Sequence, residues 1–455
     1  EDEAKEAAPS ENPPPDAEKG EAPPAPAKDA APQPMEPSSA RDIQVGAGEE
    51  DAEKDAAPPS FCSVYLAKFR GAGVASPPRP LLTQHGFSFL GSFLGLAVLG
   101  LLDLFVVKRH IDPSWALLTP PFGAMAVLVF SACKAPLAQP KNVVLGNAVG
   151  GAVGYAAWSL MAAVGPAAVT ADHLWFTAAL AVALTIVVQE QLGVVHPPGG
   201  ASALVYIIVP PMRAMGAFYP LFPCLLGAAI FVAIGMLTNN LSAARAYPQS
   251  SWGAAPAEAA PPATWLGGYL AKFRGAGVAP PPRSPLTQSG FSFFGAFVAI
   301  STLGLLPKAM KMVIPTFPEP LLIGGFGAMA VLLFSATKAP LAQPKNTVLG
   351  NGIGAFVGVA IFKAFELAGK GDAPELLWLR VALAVSLTIV LQELTGTVHP
   401  PGGATAFLFL IMKPLHHLSF TFVVSPAMFG ALIFVLIAML TNNLSKARAY
   451  PQAWW

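Results

Sequence analysis

His196-Pro197-Pro198-Gly199-Gly200 stands inside an apolar stretch, and it returns as His399-Pro400-Pro401-Gly402-Gly403. A proline pair cannot continue a helix, and a glycine pair frees the backbone from its usual steric limits. Each copy therefore breaks a helix where the flanking residues are apolar enough for a bilayer. Broken backbone at membrane depth persists only where protein or a water-filled cavity satisfies its polar groups. The two breaks predict two places where a solute binds.

The surrounding composition supports that setting. Of 455 residues, 54% are hydrophobic and 12% charged, against about 25% charged in soluble domains. The chain reads as an all-α, polytopic membrane protein in a lipid bilayer. Apolar runs cover 86–107, 114–133, 142–164, 174–190, 200–209 and 217–238, then 290–306, 320–337, 346–368, 376–393, 403–412 and 422–441. This gives two homologous helical bundles of about five to six hydrophobic segments each. The pieces after each Gly-Gly fall short of the roughly 20 residues a crossing helix needs.

The repeat extends well beyond the pentapeptide. Tyr65-Leu-Ala-Lys68-Phe-Arg70 reappears as Tyr269-Leu-Ala-Lys272-Phe-Arg274. Phe122–Gly150 matches Phe326–Gly354, and Leu237-Thr-Asn239-Asn240 matches Leu440-Thr-Asn442-Asn443. Tyr247-Pro248-Gln249 matches Tyr450-Pro451-Gln452. A period this long reads as duplication of a whole membrane domain. The chain divides into a tail over 1–60, a first membrane domain over 61–244, a linker over 245–264 and a second membrane domain over 265–455. Basic residues precede the first span of both halves (Lys68, Arg70, Arg79; Lys272, Arg274, Arg283) and follow the second span of both (Lys134, Lys141; Lys338, Lys345). The positive-inside rule places these sets on one face, which favours parallel halves with an even number of crossings; an inverted pair is the alternative.

Charge is unevenly distributed. The first 60 residues carry 16 acidic and 5 basic side chains, so the rest of the chain is strongly basic. The Pro/Ala/Glu-rich segment buries too little apolar surface to fold and reads as a disordered, solvated tail. Starting at Glu1, the sequence is consistent with a mature form that has lost a targeting segment. The three cysteines, Cys62, Cys133 and Cys224, form no disulfide or metal framework, since Thr337 and Ala427 replace the latter two in the second copy. No nucleophile elbow, phosphate loop, metal-ligand cluster or nucleotide fingerprint is present. No enzymatic activity, cofactor, metal or nucleic-acid partner is expected.

Several duplicated polar groups are candidates for chemistry. A helix starting after Gly199-Gly200 or Gly402-Gly403 would turn free N–H groups toward a small anion. His196 and His399 lie just upstream, and Ser202 and Thr405 offer hydroxyls. The competing reading is a capped structural break with a buried histidine. Lys141 and Lys345 fall in the first turn of the third span, where a cation opposes the helix dipole; they attract an anion or set topology. Asn147 and Asn351 lie further in, and polar groups there need partners. Glu190 and Glu393, the only acids in the fourth spans, are proton-coupling candidates, or solvated helix ends. Gly146, Gly150 and Gly154, with Gly350, Gly354 and Gly358, fall on one helix face and read as packing positions. His85, His110, His173, His416 and His417 are not duplicated and read as loop or surface residues.

These residues resemble the HPP family of integral membrane proteins. The resemblance rests on Pro121-Phe-Gly-Ala124 (Gly325-Phe-Gly-Ala328 in the second copy), Leu137-Ala-Gln-Pro-Lys-Asn142, His-Pro-Pro-Gly-Gly and the Asn-Asn pairs, and it covers nearly all of 65–455 as two copies. It implies a multi-spanning protein. Plant and cyanobacterial relatives are associated with nitrite transport, in plants at the chloroplast envelope, which implies a plastid membrane, envelope or thylakoid. The expected function is passive or proton-coupled transport of a small inorganic anion, nitrite foremost. The alternative is an accessory subunit of a larger, photosynthetic membrane complex; homo-oligomers fit either reading.

Overall fold

The computed structural model describes residues 81–165, 173–242, 245, 247–248, 285–315, 320–445, 447–448, 450–452 and 454. The acidic tail, Cys62, the Tyr65 and Tyr269 motifs and the basic residues ahead of each first span lie outside them. Among the described residues every regular element is helical. The first repeat contains α1 (Leu82–Ile111), α2 (Pro121–Ser131), α3 (Asn142–Val164), α4 (Leu174–Leu192), α5 (Pro197–Ile208) and α6 (Gly216–Asn239). The second contains α7 (Leu286–Lys311), α8 (Gly325–Phe334), α9 (Asn346–Leu367), α10 (Pro374–Thr395), α11 (Pro400–Ile411) and α12 (Val423–Asn443). Eight of these are long and apolar enough to cross a membrane, and four are short.

Proline and glycine set the boundaries. α4 and α10 end at Gly193 (φ 60°) and Gly396 (φ 61°), whose left-handed backbone turns the chain out of the helix. His196 and His399 follow in extended conformation, and the prolines then occupy the first two helical positions. The break therefore falls before the prolines and not after them: a proline at a helix start gives up an N–H that would have no partner there. The segments expected over 114–133 and 320–337 are likewise shorter than a full span. In the first repeat Pro120 and Pro121 fix a late start.

The path of the chain gives the parity. The Arg245 guanidinium, beyond α6, donates to the Gln84 carbonyl oxygen at 2.7 Å and to Gln84 Oε1 at 3.0 Å. Arg448, beyond α12, repeats both contacts with Gln288 at 2.7 and 3.0 Å. Each repeat thus returns to the face where it began and crosses an even number of times. Gln84, Arg245, Gln288 and Arg448 all line one cavity, which places both ends of both repeats on one face. The repeats are parallel. Arg245, Tyr247 and Pro248, expected in the linker, belong to the first repeat: Tyr247 N–H donates to Asn240 Oδ1, and Asn240 Nδ2 donates to Tyr247 O.

The two bundles interlock. The first helix of each repeat runs along the fourth of the other, α1 with α10 and α7 with α4. The second packs on the other's fifth, α2 with α11 and α8 with α5. At this centre Ala124, Ala201, Ala328 and Ala404, one from each short helix, are fully buried together. A Cβ on Gly200 would overlap Gly327 O, and one on Gly403 would overlap Gly123 O, so backbone meets backbone across the repeat boundary. Phe122, Phe130 and Phe231 fill the first bundle, and Phe326, Phe334 and Phe434 the second.

Candidate functional site

The first question is what the start of α5 offers a ligand. A helix leaves its first N–H groups without intrahelical partners. Here the His196 N–H donates to Gln189 Oε1 at 3.1 Å, the two prolines have none, and the Gly199 N–H donates to His196 O at 2.9 Å. Gln189 Nε2 donates to Gly146 O at 2.8 Å and His196 O at 3.1 Å, closing the turn from above. α11 repeats the arrangement through Gln392, His399 and Gly402. The expected cradle of free N–H groups around Gly200 and Gly403 is therefore corrected, because prolines and the glutamine clamp occupy that end. Gly199 and Gly402 are glycines because any Cβ would strike that glutamine and the facing carbonyl of α3 or α9.

The histidines are wholly buried. His196 Nδ1 lies 2.9 Å from Leu137 O, and His399 Nδ1 lies 2.8 Å from Leu341 O. A carbonyl only accepts, so Nδ1 carries the hydrogen and Nε2 holds a lone pair. Both Nε2 atoms are buried without a partner among the described residues. The histidines thus brace the loops after α2 and α8. Asn142 Nδ2 donates to Val195 O and Asn346 Nδ2 to Val398 O, each at 2.9 Å, which fastens the same loops to the same turns. Tyr247 and Tyr450 hydroxyls hold Ala138 O and Ala342 O at 2.7 Å. The Leu-Ala-Gln-Pro-Lys-Asn and His-Pro-Pro motifs are two halves of one lock.

Other predicted residues serve as fasteners. Ser202 Oγ donates to Asn147 Oδ1 at 2.6 Å, and Asn147 Nδ2 donates to Cys224 O at 2.8 Å, tying α5 to α3 and α6. Thr405, Asn351 and Ala427 O repeat this at 2.8 and 2.9 Å. Lys141 and Lys345 are half-buried and lie away from the cavity wall.

That wall is what the lock holds in place. A cavity of about 900 Å³ lies between the repeats, lined by 131–137 and 335–341 with Gln84, Gln288, Arg245 and Arg448. Among the described residues its cations are Lys134, Lys338, Arg245 and Arg448, and none of those lining it is a carboxylate. Sequence reasoning used Lys134 and Lys338 only for topology and passed over the arginines. The signal was the repeat itself, since Arg245 and Arg448 stand two residues before the matched Tyr-Pro-Gln ends.

Glu190 and Glu393 reach across the repeat boundary. Glu393 Oε1 accepts from Ser88 Oγ at 2.6 Å, and its Oε2 lies 2.7 Å from His85 Nδ1. Glu190 Oε1 accepts from Ser292 Oγ at 2.6 Å, while its Oε2 is buried without a partner among the described residues. Neither is a solvated helix end. His85, expected at the surface, is 4% exposed; the apolar turn it opens belongs to α1 and faces α10.

The model for the transmembrane region of the HPP family matches residues 77–248 and again 281–451. Two Dictyostelium discoideum proteins, described only as transmembrane proteins, are 37% identical over 187 residues and 35% identical over 188. Each alignment covers 41% of this chain, about one repeat, and 57% and 63% of those proteins, so the chain spans less than two thirds of their length. No solved structure matches.

Proposed function

The chain belongs to the HPP transmembrane family, and we propose that it carries a small inorganic anion across the membrane. The observation behind this reading is the cavity between the repeats, whose wall carries four cations and no carboxylate among the described residues. Clefts lined by one sign of charge concentrate the opposite ion and raise its rate of capture. Serine, threonine and glutamine side chains (Ser131, Ser335, Thr337, Gln84, Gln288) add hydrogen-bond donors between the cations. About 10 Å along α2 and α8 from the cavity, the four alanines close the path. Passage requires the short helices to part there, at the glycine contacts between repeats.

Among anions we favour nitrite, on the family resemblance, and a plastid membrane on the same ground. In this reading His196 and His399 position the cavity wall, and Lys134 and Lys338 collect the anion. Nitrite uptake into liposomes holding the purified protein tests it. Lys134→Glu with Lys338→Glu reverses the collecting charges, and uptake at low salt should fall by about tenfold or more. Wild-type flux no greater than that of empty liposomes, for nitrite, nitrate, chloride and bicarbonate alike, would sink the transport reading. Undiminished flux in the double variant would remove the cavity from the route.

A further inference from the structure

The two helix pairs that join the repeats share a framework but differ in the side chain that meets the glutamate. In the α1–α10 pair, Arg245 donates to Ser88 Oγ at 2.6 Å, Ser88 donates to Glu393 Oε1, and Glu393 Oε2 faces His85 Nδ1. In the α7–α4 pair, Arg448 donates to Ser292 Oγ at 2.6 Å and Ser292 to Glu190 Oε1, but Ser289 stands where His85 stands. Ser289 Oγ instead accepts from Gln191 Nε2 at 3.0 Å. The carboxylate oxygen that His85 occupies on Glu393 is the one left without a partner on Glu190.

We propose that His85 and Glu393 form a proton-binding site coupled to the anion cavity, one per chain. The site rests on the transport reading for its role, and on its own geometry for its existence. With Nδ1–H donating to the carboxylate, the neutral ring of His85 turns the Nε2 lone pair into a buried space where it has no partner. A proton added there makes an imidazolium whose charge Glu393 balances, and no other bond is formed or broken. Histidine is the side chain that changes charge near neutrality. The groups around it are Glu393 on α10, Arg245 beyond α6, and Cys133 and Lys134 in the loop after α2. Arg245, Cys133 and Lys134 line the cavity, as does Gln84 beside His85, so an anion there and a proton on His85 sense each other through Arg245 and Ser88. The added proton offsets the charge of one captured anion. In the other seam nothing titrates near neutrality at position 289, so the chain takes up one proton and not two.

Two measurements decide this. The first is independent of transport: nitrogen NMR of histidine-labelled protein in detergent between pH 5.5 and 8, with the His85 signal identified by its loss in His85→Ser. A His85 signal that titrates in this window is expected, and one that does not titrate overturns the site. The second is nitrite accumulation in liposomes with the membrane potential clamped and an inward gradient of one pH unit. One proton per anion gives about tenfold accumulation and two give about a hundredfold. The expected value is tenfold in wild type, falling to about onefold in both His85→Ser and Glu393→Gln. Transferring the histidine, His85→Ser with Ser289→His, should restore it by filling the unpartnered oxygen of Glu190. Hundredfold accumulation, or gradient-driven accumulation that survives His85→Ser, overturns the proposal. Absence of flux in every protein overturns the transport reading, while the NMR result still decides the proton site.

Discussion

The α1–α10 and α7–α4 seams occupy equivalent places in the two repeats, yet only one of them is polar along its length. The first holds His85, Ser88, Glu393, Ser92 and Ser386 in sequence from the mouth inward, with Ser92 and Ser386 hydroxyls 2.8 Å apart. The second keeps Ser292 and Glu190 but has Ala296 and Ala183 at the deeper rung, both fully buried. The shared parts are those that hold the framework: the arginine, its serine and the glutamate. The unshared parts alter only what the seam can protonate or hydrate. Duplication has kept the packing twice and the titratable site once.

Replacing the arginines tests the shared framework and carries the largest expected effect. Arg245 and Arg448 each donate to two backbone carbonyls, two side-chain oxygens of Gln and Asn, and a serine. Removing one member of a buried charged network costs about 3–5 kcal/mol, because its partners stay buried and uncompensated. Arg245→Met and Arg448→Met should each lower stability in detergent by that order, with Arg448→Met the more costly. Loss of Arg245 leaves Glu393 facing an imidazole that can take a proton; loss of Arg448 leaves Glu190 with the Ser292 hydroxyl alone among the described residues. Equal unfolding curves for the two variants would break the comparison.

The glutamates come next. Glu393→Gln removes a charge-assisted bond to His85, worth about 1.5–3 kcal/mol. Glu190→Gln keeps the Ser292 contact and alters an oxygen that has no partner, so its cost should stay below about 1 kcal/mol. The same substitution at equivalent positions then gives two different shifts in unfolding midpoint. A Glu190→Gln shift as large as that of Glu393→Gln would mean that Glu190 has a partner equal to His85.

Much of this was legible in the sequence, and the exceptions have physical causes. Duplication, parallel repeats and the helix breaks follow from residue type and spacing, since proline and glycine act locally. The packing role of Gly150 and Gly354 was equally plain: a Cβ on either would overlap the carbonyl of Gly199 or Gly402. The state of the α5 and α11 starts was not. Whether an N–H is free depends on a glutamine seven residues upstream that folds back over the turn, and neighbouring sequence does not show which way a side chain folds. His85 was misplaced because lack of a second copy suggested lack of a role. Its partner, Glu393, lies 308 residues away, and only cross-repeat packing brings them together.

The smallest effect lies at the deeper rung, and it turns on where one hydrogen goes. Ser92 Oγ is 2.6 Å from Ser88 O, 3.1 Å from Phe89 O and 2.8 Å from Ser386 Oγ, with a single hydrogen to give. Ser92 is the donor in the bond the two serines share, and its hydrogen also lies within reach of two carbonyls of its own helix. Ser92→Ala then leaves the buried Ser386 hydroxyl without the donor it accepts from, whereas Ser386→Ala leaves Ser92 still bonded to its own helix. Side-chain hydrogen bonds between membrane helices average about 0.6 kcal/mol. Ser92→Ala should cost about that much and Ser386→Ala less, and the double variant should lie near Ser92→Ala or below it, since removing both partners leaves nothing unsatisfied. That final state has the residues of the other seam, where Ala296 and Ala183 stand at the equivalent positions. A double variant costing the sum of two independent losses would mean that the serines do not share the bond, and that the polar rung distinguishing the seams carries no energy between them.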